Sequence, residues 1–353
     1  MALLSLSIRH FRNLQAADVP LSPGITLLFG ANAQGKTNFL EALLLLLCGL
    51  SLRGQSEKDM VAWGQDGYRL HGSWRDSESP GDLPVEKDRL VTLNPLRRRD
   101  SGPLIPAVAF GPDDLMLVKG APELRRRFLD DVAGQVRPRY VHELRRYQRA
   151  LTQRNRALKA EAPDTVLESF DPLLVEAGAF VWAARQQVVA ALQTKVPELL
   201  EAIAPYDRIL LQLERGGHAR TPEPGDLLSE LHRRRGEERQ RGATLTGPHR
   251  DDLRILGNDR AADVFASQGQ QRSMALALKL ASRDILEEGS GRTPVVLLDD
   301  VFSELDARRR GALLMLMTRS RQQTVVTDTD RSELQHQAAL RYQVEAGAVR
   351  PVG

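Results

Sequence analysis

The opening stretch "LLSLSIRHFRNLQAADVPLSPGITLLFG" (3–30) alternates apolar and polar positions twice around an "SPG" turn, which predicts two β-strands running into a Gly-rich loop at Gly30. Behind the loop, "FLEALLLLL" (39–47) is apolar nearly throughout and reads as a helix. "YRLHGSW" (68–74), "DRLVTL" (88–93) and "IPAVAF" (105–110) are separated by Pro, Gly and Asp clusters and predict further strands of an antiparallel layer. The polar "RDSESPGDLPVEKDRL" (75–90) reads as a mobile loop.

From Pro122 to about Gln240 the period lengthens. "PELRRRFLDDVAGQ" opens with Pro at a helix start, and Leu144, Tyr147, Leu151 and Leu158 share one helical stripe. "EAGAFVWAARQQVVAALQTKV" continues the helical pattern, and "ERGGHARTPEPGD" (214–226) reads as a loop. After Gly242 strand and turn chemistry returns, followed by a helix over "GQQRSMALALKLASRDIL" and a buried strand in "TPVVLLDD" (293–300). The expected architecture is α/β, with mixed and antiparallel β layers built from 1–120 and 242–353 and an inserted helical lobe over 121–241.

Composition narrows this picture. At 353 residues, 42% hydrophobic and 27% charged, the chain suits a globular protein of two domains. The net charge is only +3, but the cations are almost all Arg, which suits bidentate phosphate contacts as readily as it reflects an Arg-rich genome. Cys48 is the only cysteine, so the chain can form no internal disulfide or CxxC zinc site, and a reducing cytosol fits. The longest apolar stretch, Ala42 to Leu50, is too short to span a bilayer, and no membrane partner is expected.

The candidate chemistry begins at "GANAQGKTN". Gly30, Ala31, Asn32, Ala33, Gln34, Gly35, Lys36 and Thr37 fit G-x-x-x-x-G-K-[ST], and Asn38 follows. The glycines let backbone N–H groups point at phosphate oxygens, and the following helix offers its positive end. Lys36 would reach the β and γ phosphates and Thr37 would hold Mg²⁺. A carboxylate at the end of a neighbouring apolar strand is also needed, and "VVLLDD" supplies Asp299 for the metal and Asp300 to polarise the attacking water. In "SQGQQRS", Ser267 and Gln270 form a capping box, while Gly269 permits close backbone approach, so this helix start is a second candidate phosphate receptor.

The order Gly-rich loop, Ser-x-Gly-Gln helix, apolar strand with Asp-Asp, then "SELD" (303–306) resembles the ABC-type ATPase head, with its Walker A, signature, Walker B and D-loop. That resemblance implies a head-to-tail dimer sandwiching two ATP, with Ser267 and Gly269 on the γ-phosphate held by the other subunit. "IRHFRNL" resembles the opening strand of the SMC and Rad50 branch, which implies that Arg12 and Asn13 approach the nucleotide; an ordinary amphipathic strand accounts for it equally. With "FGPDDLMLVKGAPELRRRFLD" and "TGPHRDDL" added, the arrangement resembles the RecF family of bacterial recombination mediators across nearly the whole chain. The resemblance implies an ATP-dependent dimer that binds double-stranded DNA or junctions with single-stranded gaps, helps RecO and RecR load RecA, and lies in the cytoplasm with the nucleoid.

Departures from the wider ABC pattern bear on rate. No Q-loop Gln is evident, Thr327 and Asp328 stand where a switch His is usual, and Asp300 replaces the commoner Glu, so slow hydrolysis is expected. For DNA, Arg145, Arg149 and Arg156 lie away from the Leu stripe of their helix, with further clusters at Arg125–Arg127, Arg233–Arg235, Arg239 and Arg241. Such clusters track phosphates without reading sequence, and each is also explained as a solvated helix face. His249 and Arg250 are open to two readings, a relay of nucleotide state or a polar turn. An ABC transporter subunit or a small-molecule P-loop kinase would share the Gly30 loop; the first would keep the switch His, and the second has no use for "SQGQQRS".

Overall fold

A computed structural model describes residues 2–53, 57–76, 85–94, 97–205, 207–216, 226–306, 308–311, 313–314, 322–329 and 333–352. The strands in chain order are β1 (Ala2–Phe11), β2 (Leu14–Pro20), β3 (Ile25–Phe29), β4 (Tyr68–Asp76), β5 (Val85–Asn94), β6 (Arg97–Ser101), β7 (Ala107–Phe110), β8 (Ile209–Glu214), β9 (Asp252–Gly257), β10 (Arg260–Ala261), β11 (Val295–Asp299), β12 (Thr324–Asp328), β13 (Leu340–Glu345) and β14 (Ala348–Pro351). The helices are α1 (Lys36–Cys48), α2 (Leu115–Lys119), α3 (Pro122–Val136), α4 (Pro138–Lys159), α5 (Asp164–Glu168), α6 (Asp171–Ile203), α7 (Leu227–Arg241), α8 (Ala262–Phe265) and α9 (Gln268–Ser290). They divide into two compact units, residues 1–113 with 286–353 and residues 114–285.

The first unit holds two sheets. One is antiparallel, in the order β2-β1-β4-β5-β6; the other runs β14-β13-β3-β12-β11-β7, parallel except for its β14 edge. Strands β3, β11 and β12 are almost wholly buried, as continuous apolar runs in a parallel sheet must be. Helix α1 touches strands of both sheets, which explains a leucine run apolar on every side: Phe39 to Cys48 are all buried.

The opening segment forms three strands, not two. The chain reverses at Arg12, whose φ of 51° lets β1 pair back on β2 with Phe11 opposite Leu14. "IPAVAF" contributes β7 to the parallel sheet beside β11 instead of the antiparallel layer, because all four of its strand residues are buried. The stretch read as a loop at 75–90 contains the ends of β4 and β5; only 77–84 lie outside the described residues. Residues 217–225 of the "ERGGHARTPEPGD" loop lie outside them too.

The second unit packs α3, α4, α6 and α7 with a small antiparallel sheet, β10-β9-β8. It extends beyond the expected 121–241, from 114 to 285, because β8 pairs along its length with β9, and that ladder carries the segment after Gly242 with it.

Its interior is held by a charged knot. Asp251, fully buried, accepts from Arg185 Nη1 at 2.6 Å, from Trp182 Nε1 at 2.8 Å and from the Gly216 N–H at 2.8 Å. Arg185 also forks onto Asp130, at 2.8 and 3.1 Å, and donates to the Pro248 carbonyl at 2.6 Å. Next door, Arg125 binds Asp252 through two nitrogens and Arg126 donates to the Asp251 carbonyl. His249 Nε2 lies 3.0 Å from the Thr244 carbonyl, which can only accept; Nε2 therefore carries the proton, and Nδ1 accepts from the Tyr147 hydroxyl at 2.6 Å.

Burial pushes the His249 imidazole down to about 4, aided by Arg250, Arg126 and Arg185 and opposed by the Thr244 carbonyl. Unfolded, the ring titrates near about 6.5. Between those values the unfolded chain binds the extra proton, so stability falls as pH falls. Lowering pH from 7 to 5 is expected to cost about 1–2 kcal/mol through this ring. His249→Gln, whose amide can replace both neutral hydrogen bonds, should remove that part of the slope in urea melts taken across the range. An unchanged slope would show that the ring takes up its proton over the same pH range folded and unfolded.

Candidate nucleotide site

The site starts where β3 ends. Gly30 has a φ of 153°, and a Cβ there would stand 2.3 Å from the Val344 carbonyl oxygen of β13. Gly35 has a φ of 118°, and its Cβ would stand 2.8 Å from Asn13 Oδ1. Glycine is therefore favoured at both ends of the loop, by the Val344 backbone at Gly30 and by the positive φ and the Asn13 side chain at Gly35. Helix α1 begins at Lys36, so its free N–H groups face the loop it closes.

Neighbouring strands grip the loop. Asn13 Nδ2 donates to the Gln34 carbonyl at 3.1 Å, and Asn13 Oδ1 accepts from Asn38 Nδ2 at 2.8 Å. From the β13–β14 turn, the Ala346 N–H donates to Gln34 Oε1 at 2.6 Å and the Gly347 N–H to the Gln34 carbonyl at 3.0 Å. The side chains of Asn13, Gln34 and Asn38, expected on nucleotide, are thus bonded to one another and to the loop. Arg12 differs again: its Nε lies 2.5 Å from Oε2 of Glu41, a fully buried carboxylate on α1 that also accepts from Ser51 Oγ at 2.8 Å.

Lys36 Nζ donates to the Gly30 and Ala31 carbonyls at 2.6 and 2.9 Å. Burial lowers its pKa, opposed by the carboxylates of Asp300, Asp299 and Asp328. Thr37 Oγ1 donates to Asp299 Oδ1 at 2.9 Å, joining the start of α1 to the end of β11. Thr327 Oγ1, at the end of β12, donates to the same oxygen at 2.8 Å and accepts the Asp300 N–H at 3.0 Å. Burial raises the Asp299 carboxyl, and the hydroxyls of Thr37 and Thr327 draw it back down. Thr37 and Asp299 are hard oxygen donors, a set that suits Mg²⁺. Among the described residues no cluster of three His, Cys, Asp or Glu side chains is arranged to hold a metal.

These residues line a cleft of about 170 Å³ bounded by Asn32, Ala33, Gly35, Lys36, Thr37, Asn38, Arg53, Asp299 and Asp300. Sequence reasoning placed Thr327 at the switch position without its bond to Asp299, and missed Arg53. Arg53 donates to Asn38 Oδ1 at 3.2 Å, and its only signal was an isolated cation in the Gly-containing segment after α1. Glu41 carried a clearer one, a lone carboxylate inside an apolar helix.

In the second unit the capping box forms as expected. Ser267 N–H donates to Gln270 Oε1 at 2.9 Å, and Gln270 N–H to Ser267 Oγ at 3.2 Å. Gln270 Nε2 donates in turn to Asp207 Oδ1 at 2.8 Å. Gly269 lies in the first turn of α9. Of "SELD", the Ser303 and Glu304 side chains lie outside what is described.

A family model described as an AAA domain matches residues 5–88. The DNA replication and repair protein RecF of Halalkalibacterium halodurans is 37% identical over 99% of both chains, and that of Bacillus subtilis is 34% identical over 99% of this chain and 100% of its own. The chain belongs to the RecF family. A solved structure of the recombination mediator protein RecF with ATP superposes with a TM-score of 0.89 at 28% identity, covering 99% of this chain and 97% of that one. The Smc head domain of Pyrococcus furiosus, at 18% identity and a TM-score of 0.55, shares the fold. The two RecF patterns, "RRRFLD" and "GPHRDD", meet in the charged knot of the second unit, through Arg125–Asp252 and Asp130–Arg185–Asp251. That favours the structural reading of "TGPHRDD" over the relay.

Proposed function

We propose that this RecF-family chain is an ATP-gated clamp. Lys36 and the N–H groups of residues 30–37 bind the phosphates of ATP, and Thr37 with Asp299 would hold the metal. Bound Mg²⁺ would offset phosphate charge and orient the oxygens of the chain being cleaved. Asp300 polarises the attacking water. Ser267 and Gly269 of a second copy contact the γ-phosphate, so ATP drives head-to-tail association of two chains, and the dimer holds duplex DNA or a gap junction. Its work with RecO and RecR in loading RecA is carried over from the resemblance alone. Hydrolysis is slow, a timer that resets the clamp, because Asp300 is one methylene shorter than Glu and Thr327 stands in place of a switch His.

The observation that carries this reading is that each chain has one gripped phosphate loop, bridged by Thr37 to Asp299, and one capped Ser267 helix start. One of each per chain makes two complete sites only in a pair. Sedimentation velocity of the wild type and Ser267→Arg, with ADP, with ATP and with ATP plus gapped duplex, tests it. The wild type is expected to dimerise with ATP alone and to carry DNA with it, while Ser267→Arg binds ATP as a monomer; loss of the cap costs only about 1 kcal/mol of stability. A wild type that binds ATP yet stays monomeric throughout would overturn the reading.

A further inference from the structure

Three groups of Arg, on α3, α4 and α7, compete as phosphate contacts, and the structure sorts them by what already neutralises each one. On α7 all five arginines have carboxylate partners, among them Arg233 on Glu230, Arg235 on Glu168, Arg239 on Asp164 and Arg241 on Glu237. On α3, Arg125 is paired with Asp252 beside the buried knot, Arg126 donates to the Asp251 carbonyl and Arg127 faces Asp131. Helix α4 is different. From Leu144 to Ala160 it contains six cations and no carboxylate. Two are already paired: half-buried Arg146 with Glu143 and Glu176, and fully buried Arg154 with Asp171 and Glu238. The remaining four, Arg145, Arg149, Arg156 and Lys159, are exposed, and among the described residues none of them has a carboxylate partner.

At 100° per residue those four fall within one narrow stripe of the helix, and at about 1.5 Å per residue they extend over about 21 Å. A DNA strand places a phosphate every ~3.4 Å along the axis, so the ridge matches about six phosphates. Between the cations stand exposed Gln148, Thr152 and Gln153, which are neutral hydrogen-bonding groups. The stripe has no aromatic side chain on which bases could stack, and no apolar side chain to enter a lipid surface. We infer that the outer ridge of α4 is the duplex-phosphate contact of this protein, sequence-independent and made by Arg145, Arg149, Arg156 and Lys159. The inference rests on the clamp reading, because it presumes that the chain binds duplex DNA.

The test uses the full chain with ATP and a fluorescein-labelled 40-bp duplex, read by anisotropy over a salt series. Arg145→Gln, Arg149→Gln, Arg156→Gln and Lys159→Gln are combined; Gln keeps helix propensity and these side chains face water. A control of equal charge change combines Arg75→Gln, Arg233→Gln, Arg241→Gln and Arg254→Gln, four exposed arginines that are each ion-paired. The ridge variant is expected to bind at least ~30-fold more weakly near 0.1 M salt, with the slope of log Kd against log salt reduced by about three to four. The control should stay within about threefold of wild type. Arg145→Gln with Arg149→Gln alone should give about half the change in slope, and that milder pair keeps the test decisive if the full set misfolds. Equal weakening in ridge and control variants, or none in the ridge variant while the wild type binds, would overturn the assignment and leave the clamp standing. A wild type that binds anionic vesicles, or nothing, in place of duplex would overturn the clamp's DNA role and this inference with it.

Discussion

Asp300→Asn is expected to slow ATP turnover by about 10²–10⁴-fold while leaving nucleotide affinity and ATP-driven association unchanged. Removing the charge takes away the group that would polarise water but leaves Lys36, Thr37 and Asp299 in place. The backbone supports the choice of Asn. Residue 300 sits at a φ of 51°, a left-handed conformation that Asp and Asn tolerate and other side chains adopt at a cost of about 1–2 kcal/mol. Asn therefore keeps the turn and the N–H bond to Thr327 Oγ1. Glu, without the short polar group that bonds locally to its own backbone, would incur that cost at this position. Single-turnover hydrolysis, nucleotide titration and sedimentation with ATP read the three quantities separately. Lys36→Ala, by contrast, should lose nucleotide binding itself. Full turnover in Asp300→Asn would remove Asp300 from the chemistry.

How much of this site was legible in the sequence follows from how local its chemistry is. The phosphate loop occupies nine consecutive residues between a strand and a helix, and two carboxylates after an apolar run announce a strand end, so both could be read directly. The Ser267–Gln270 box is also local, a contact over three residues. The bond of Thr327 to Asp299 could not be read, because a Thr in "TVVT" is an ordinary strand residue until β12 pairs beside β11 and brings its hydroxyl onto Asp299. The grip on Gln34 depends on the β13–β14 turn more than 300 residues away. Strand β8 was hidden because "ILLQLE" is a short apolar run between helical stretches, and only its ladder with β9 makes it a strand. Strand β6, "RRRDS", has no alternation at all; it pairs along β5, and Arg89 from that neighbour reaches the Leu46 and Gly102 carbonyls. The Arg clusters were visible as clusters, and local partners such as Glu230 for Arg233 with them, but other cations are neutralised by carboxylates distant in sequence, as Arg235 is by Glu168.

Asp251→Ala is expected to be the most damaging single change to stability, about 3–5 kcal/mol, because it breaks a buried ion pair by removing one partner. Three donors converge on this carboxylate: the Arg185 guanidinium, the Trp182 indole and the Gly216 N–H. Burial alone raises the Asp251 pKa, and those donors, led by Arg185, act against the rise. Truncation leaves Arg185 with Asp130 and the Pro248 carbonyl but strands an indole and a backbone N–H without water to replace the acceptor, each worth about 1–3 kcal/mol. Asp251→Asn should lose less, since its amide oxygen can still accept while the charge is gone. Urea unfolding followed by far-UV circular dichroism, beside the exposed pair variant Arg254→Gln at under about 1 kcal/mol, measures the difference. The comparison separates two uses of arginine in one unit. Those meeting carboxylates inside the knot hold the fold, which is where both family patterns converge, and those left on the α4 ridge are free for a ligand. A loss in Asp251→Ala no greater than in Arg254→Gln would mean that the knot is not what holds α3, α6 and the 247–252 turn together.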